Sequence, residues 1–524
     1  MQLSDLLRLW RAAMLIFYFA LAAAQLTRGQ TPARGAGAEQ RAAQALEAVR
    51  TNPLELRVFL RAMPKGADLH YHLGGTYAES LIRAGAEDGL CVDLAKMAFV
   101  KPAAPSTSES QAATCEKGTV AAASAFADQH LYDALIDSFS MRSFVPFAGV
   151  SGHDHFFDAF GKFDAVSPRH AAEWLDEAAA RAAAQNEQYV ELMDTPDFSH
   201  AAKLAGEIGW KDDLKVVRDE LLAHGLRDDV PVALAHFKQA SRRERERCGK
   251  PDATAACNVE IRFLYQVLRG FPKEIVFAQT LLGFETVSAD LETVVGINFV
   301  MPEDGFTSMH DYALHMKIVK YLHEVYPKVR ITLHAGELAY GLVTPEGLCC
   351  HIRQAVQAGA ERIGHGVDVM YEERPEELLK EMAARHVMVE INLTSNDVIL
   401  GVRGKEHPLP IYRKFGVPVA LSTDDEGVSR IDLTNEYVRA VQTYGFSYMD
   451  LKKMVRTGLE HSFLPGASLW EKQDAFTRTA GACSRDTIGA EKPSSICAGF
   501  LKSSAKARQQ WELERRFRTF EEKF

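Results

Sequence analysis

Glycine-rich phosphate loops are missing from this chain. No GxGxxG and no GxxxxGK[ST] follows any apolar run, which weakens a dinucleotide or nucleoside-triphosphate reading. A surplus of positive charge is missing too: the formal net charge is −10 at pH 7. Phosphate binding needs clustered Lys and Arg, so no nucleic-acid partner is expected. The one basic cluster, Arg242 to Arg247, is interleaved with Glu244 and Glu246 and reads as a solvated helix face or loop. CxxC spacing is absent among the eight cysteines, which argues against zinc knuckles and dithiol redox motifs. No second long apolar run follows the N-terminal one, so no stable membrane association is expected once that segment is removed.

What is present starts with export. Arg8 and Arg11 precede an apolar run from Ala12 to Ala24, with Ala22 and Ala24 placed as in an A-x-A cleavage site. That layout predicts a signal peptide over residues 1–24 and a periplasmic or secreted protein. Six cysteines fall into near neighbours, Cys91 with Cys115, Cys248 with Cys257 and Cys483 with Cys497. Each pair would close a short loop, as suits an oxidising compartment. The adjacent Cys349 and Cys350 read as buried thiols. Residues 25–45, rich in Ala, Gly, Gln and Thr, read as a poorly ordered leader, and residues 451–524 as a helical segment packed on the outside.

Between them, residues 46–450 repeat one pattern: a short β-rich run, a polar junction, a longer helical stretch. Candidate strands are 67–72, 188–193, 258–266, 293–300, 329–334, 362–366, 387–393 and 417–423. Several are near-continuous apolar runs, as parallel strands covered on both faces require. Eight runs alternating with helices predict an α/β protein with a (β/α)8 TIM barrel, although an open sheet could use the same strands. Residues 91–187 and 200–257, after the first and second strands, read as insertions of loops and helices.

The chemistry gathers at strand ends. His70 and His72 alternate on the first strand, so both imidazoles face one side and form half of a zinc site. His334 closes the fifth strand, His365 the sixth, and Asp424 and Asp425 follow the eighth. Ionisable groups at the ends of apolar strands are costly to bury unless paired or metal-bound. A barrel would bring all four ends together.

MPKGADLHYHLGG, TLHAGE, RIGHG and STDDE, in this order, resemble the motif set of the adenosine deaminase family over roughly residues 60–440. The exported chain looks closer to secreted bacterial members and to related growth factors. The resemblance implies one Zn2+ per chain held by His70, His72, His334 and Asp424, with Glu337, His365 and Asp425 as catalytic residues. It implies hydrolysis of adenosine or 2′-deoxyadenosine to the inosine product and ammonia, the partner being a small purine nucleoside. Gly336 would let the backbone approach the substrate. Phe160 and Phe163, in HFFDAFGKFDAV, resemble the family's apolar gate, an ordinary amphipathic helix being the alternative. Three positions depart from the family. HLGG has Gly74 where HLDG places an Asp, and Met301 stands near the place of a glycine that faces the purine. Glu426 replaces a common Pro. Free adenine, a modified nucleoside or a nucleoside phosphate therefore remain as substrates, and a growth-factor-like binding protein on the same fold remains as another class. The second zinc deaminase class needs PCxxC, which is absent.

Overall fold

A computed structural model of the chain describes residues 37–103, 115–246, 248–250 and 253–524. The expected signal peptide and the first part of the leader lie outside these residues, as does Arg247. Eight strands pair in sequence order, each parallel to the next. They are β1 (Gly66–His72), β2 (Glu187–Asp194), β3 (Glu260–Leu268) and β4 (Val294–Val300), then β5 (Arg330–Ala335), β6 (Arg362–His365), β7 (Met388–Ile391) and β8 (Val419–Leu421). The sheet closes through a bridge between Tyr71 and Asp424. There Asp424 N–H donates to His70 O at 2.8 Å and His72 N–H to Asp424 O at 3.2 Å. The result is the (β/α)8 barrel, with every strand where the apolar runs predict one.

The barrel interior is not wholly apolar. Below the strand ends, fully buried Arg362 forms ion pairs with Glu191 at 2.7 Å and with Glu390 at 2.6 Å, and stacks over Phe463 at 3.9 Å. Two anions and an aromatic face around one guanidinium offset the cost of burying its charge.

Both insertions are folded over their described residues. The first forms a three-stranded antiparallel sheet centred on Cys91–Asp93, followed by helices that include Gly152–Phe163. Ser151 and Asp154 close a reciprocal cap at the start of that helix. Phe99, Phe139, Phe156 and Phe163 build a satellite core there. The second insertion carries helices Leu214–Ala223 and Val230–Arg245. Disulfides join Cys91 to Cys115, Cys248 to Cys257 and Cys483 to Cys497, the pairs read from spacing.

Three expectations need correction. The leader is ordered from Ala38: helix Ala38–Val49 buries Ala42 and Leu46 and packs against the C-terminal helix Ala505–Glu521. Cys349 and Cys350 are not thiols but bonded to each other. The boundary at residue 450 falls inside helix Tyr448–His461, which packs on β1 and β8 as the outer helix there. Among the described residues no helix is long and apolar enough to cross a membrane.

Candidate metal centre and active site

Period-two alternation on β1 sends His70 and His72 to the same side, where they meet His334 from β5 and Asp424 from the closing bridge. The four donor atoms lie within 4.8 Å of one another. His70 Nε2 is 3.1 Å from His334 Nε2, and Asp424 Oδ1 is 3.2 Å from His72 Nε2 and 3.5 Å from His70 Nε2. All four residues are buried.

The far nitrogen of each imidazole shows why these atoms converge. His70 Nδ1 is 2.7 Å from Glu390 Oε2, His72 Nδ1 is 2.8 Å from Gln266 Oε1, and His334 Nδ1 is 2.7 Å from Asn298 Oδ1. Every partner is an oxygen acceptor, so each Nδ1 donates and each Nε2 is left to face the centre. Such outer partners fix the tautomer of a metal-binding histidine. The electrostatics also favour a cation at the centre. Burial disfavours charge on His70, but Asp424 and Glu390 outweigh it and push the imidazole up to about 10. Burial and the neighbouring imidazoles hold His334 well below its ordinary value. Three nitrogens, one carboxylate and a demand for positive charge fit a divalent metal ion.

Glu337 and His365 stand beside this cluster, with His365 Nδ1 3.6 Å from Glu337 Oε1 and His365 Nε2 3.7 Å from Asp424 Oδ2. Burial, reinforced by Asp424 and Glu303, raises the Glu337 carboxyl well above the ordinary range, which favours its protonated form. Burial likewise pushes Asp425 up to about 7, and its Oδ1 is buried without a hydrogen-bond partner. Gly75 has no room for a side chain because the Asp425 carboxylate lies against it.

The remaining expected residues are placed less centrally. Gly336 has φ +74° and would drive a Cβ into Asp368 and Ile352, so it serves the turn after β5. Its N–H donates to Glu303 Oε1 at 3.0 Å. Gly74 is exposed, with open space where a side chain would begin. Met301 adopts φ +86° at the end of β4, the left-handed conformation that a glycine takes easily. Phe163 is buried in the satellite core, while Phe160 is only partly buried beside it. Glu426 is buried, and burial pushes its carboxyl up to about 8.

Sequence reasoning missed a second group of residues. Glu303, after β4, accepts from Gly336 N–H at 3.0 Å and Glu337 N–H at 2.8 Å. It also meets His351 Nδ1 at 2.5 Å and Arg269 at 3.7 Å. Arg269 in turn donates to His334 O at 3.1 Å and to Met301 O at 3.2 Å. This buried group fixes the backbone on both sides of the cluster. Gln266, Asn298, Glu390, Asn396 and His407 were missed as well. The usable signal was a polar residue inside an apolar strand, which Gln266, Asn298 and Glu390 all are.

A family model described as adenosine deaminase matches residues 155–471. Adenosine deaminase of Clostridium perfringens is 38% identical over 136 residues, 26% of this chain and 38% of that protein. The enzyme of Shewanella loihica is 39% identical over the same length. The match thus spans 38% of the length of these curated relatives. Among solved structures, N6-mAMP deaminase of Arabidopsis is 20% identical with a TM-score of 0.50, covering 78% of this chain and 96% of its own. A zinc-bound amidohydrolase of Burkholderia ambifaria is 17% identical with the same score, covering 79% and 89%. Both share the fold.

Proposed function

The chain belongs to the adenosine deaminase family, and on that footing we propose that it hydrolyses the 6-amino group of adenosine or 2′-deoxyadenosine. The observation that carries the reading is the meeting of His70, His72, His334 and Asp424 beside a buried Glu337. Zinc is the proposed ion, one per chain, supported by the three-nitrogen, one-carboxylate donor set. When bound it would supply a Lewis acid and a water acidified toward neutrality.

The chain's own residues do the rest. Water adds at C6 of the purine while Glu337 gives its proton to ring nitrogen N1, which relieves charge on the ring as the C6–N1 double bond opens. His365 and Asp425 flank the attacking oxygen and orient it. The proton that the water gave up to the Asp425 carboxylate passes to the amino group, which leaves as ammonia, and the remaining hydroxyl proton returns to the Glu337 carboxylate as the C6 carbonyl of the inosine product forms. Purified protein incubated with adenosine should change the purine absorbance. No turnover with the metal site fully loaded would reject this reading.

A second reading keeps the chemistry and changes the substrate to free adenine, a modified nucleoside or a nucleoside phosphate. Gly74 favours it, because open space stands where a ribose-binding carboxylate would begin. A substrate panel at fixed enzyme concentration separates the two. Export to the periplasm or medium is likewise our proposal, supported by the A-x-A pattern and by disulfides in loop regions.

A further inference from the structure

His365 is held from behind by a line of buried polar groups that ends on a backbone amide. Leu409 N–H donates to His407 Nδ1 at 3.1 Å. A backbone amide can only donate, so that nitrogen must carry a lone pair. Burial, with Arg439 nearby, keeps His407 neutral by lowering it to about 3. Its single ring proton is therefore on Nε2, which lies 3.0 Å from Asn396 Oδ1. With its oxygen so committed, Asn396 faces His365 with its amide nitrogen, and Nδ2 to Nδ1 is 3.0 Å.

An amide nitrogen is again only a donor, so His365 Nδ1 must accept. One backbone N–H thus determines two ring tautomers and one amide orientation, which are otherwise open choices. Competing contacts are weaker. Glu337 Oε1 is 3.6 Å from the same Nδ1, and Asn392 Nδ2 is shared between the two ring nitrogens at 3.4 and 3.5 Å, both longer than the 3.0 Å Asn396 contact. His365, Asn396 and His407 are all buried, so water does not replace these partners.

We propose that His407, acting through Asn396, is a positioning residue that sets His365 in the Nε2–H tautomer. His365 then meets the attacking oxygen as a hydrogen-bond donor, and the water's proton passes instead to the Asp425 carboxylate, whose Oδ1 is buried without a hydrogen-bond partner. Nε2 faces the donor cluster, 3.7 Å from Asp424 Oδ2. The assignment of that oxygen rests on the deaminase reading; the tautomer does not.

Three substitutions separate positioning from packing. His407→Gln keeps an oxygen for Leu409 and an amide donor for Asn396, whereas His407→Leu keeps only bulk. Asn396→Asp presents acceptors alone, so it requires the proton on His365 Nδ1. Long-range 1H–15N spectra of 15N-histidine-labelled, zinc-loaded protein read the tautomer directly, with His365 assigned by its loss in His365→Gln. Wild type and His407→Gln should show Nε2 protonated, and Asn396→Asp should show Nδ1 protonated. Turnover should fall about 10–100-fold in Asn396→Asp and His407→Leu with KM little changed, the range for partners that orient a site imidazole. His407→Gln should recover most of it.

A wild-type His365 protonated on Nδ1 overturns the proposal, and so does an equal loss in His407→Gln and His407→Leu. If His407→Leu does not fold, the wild-type and Asn396→Asp spectra still decide. The spectra need no substrate. An Nε2–H tautomer in a chain that deaminates no purine would reject the proposed function and leave the relay standing.

Discussion

A carboxyl group that must give a proton has to hold one first, and burial beside Asp424 and Glu303 shifts Glu337 in that direction. Glu337→Gln should lower kcat by at least ~10²-fold, as removal of a general acid does, while metal content stays at the wild-type level. Steady-state kinetics beside metal analysis check both halves. Gly74 allows the opposite experiment, since its φ is ordinary and a side chain there meets nothing. Gly74→Asp restores the HLDG motif and should lower KM for a nucleoside without doing so for free adenine. If KM for both moves alike, the Asp is not reading the sugar. The site also carries its own strain. His365, Asp424 and Met301 all have left-handed backbone at the ends of β6, β8 and β4. Such conformations cost about 1–3 kcal/mol each and persist only where the surroundings enforce them. For Asp424 the bridge to Tyr71 does so, and for Met301 the Arg269 bonds to its carbonyl.

At the scale of elements, Glu303 joins the loop after β4 to the turn after β5. Burial alone would raise its carboxyl, but Arg269, His351 and the Gly336 N–H hold it down to about 2. A carboxylate depressed on folding stabilises the fold above its unfolded pKa, and that stability is lost as pH falls through the folded value. Glu303→Gln should therefore cost on the order of 3 kcal/mol near pH 7. The gap to wild type should close between about pH 4 and pH 2, as thermal melts across that range would reveal. Nothing in the sequence marked Glu303, because MPED reads as a polar loop and its partners come from just after β3, just after β5 and the helix at His351. The strands were legible for the contrary reason. A strand covered on both faces writes its burial into consecutive residues such as ITL of β5 and VVGINFV of β4. HxH and the strand-end His and Asp were legible on the same logic. Helix Ala38–Val49 was not, since an Ala-rich stretch is stabilised here by a C-terminal helix that no local pattern announces.

For the whole molecule, the candidate donors come from β1, β5 and the end of β8, so an ion held there would depend on the fold. Chelation should lower the Tm, by the equivalent of about 4 kcal/mol if the ion stood at a thousand times its Kd, and zinc should restore it. Calorimetry of loaded, chelated and reloaded protein tests this, and a Tm indifferent to chelator would detach the ion from the fold. The bridge between Tyr71 and Asp424 adds an order of events. It is the seam where the barrel shuts, and it brings the final donor to the first two. A nascent chain that has not reached β8 offers an incomplete chelate, and a chain threaded unfolded across a membrane offers none. Any copy that travels in that way must therefore find its ion at its destination, where supply on the far side would set how much becomes active.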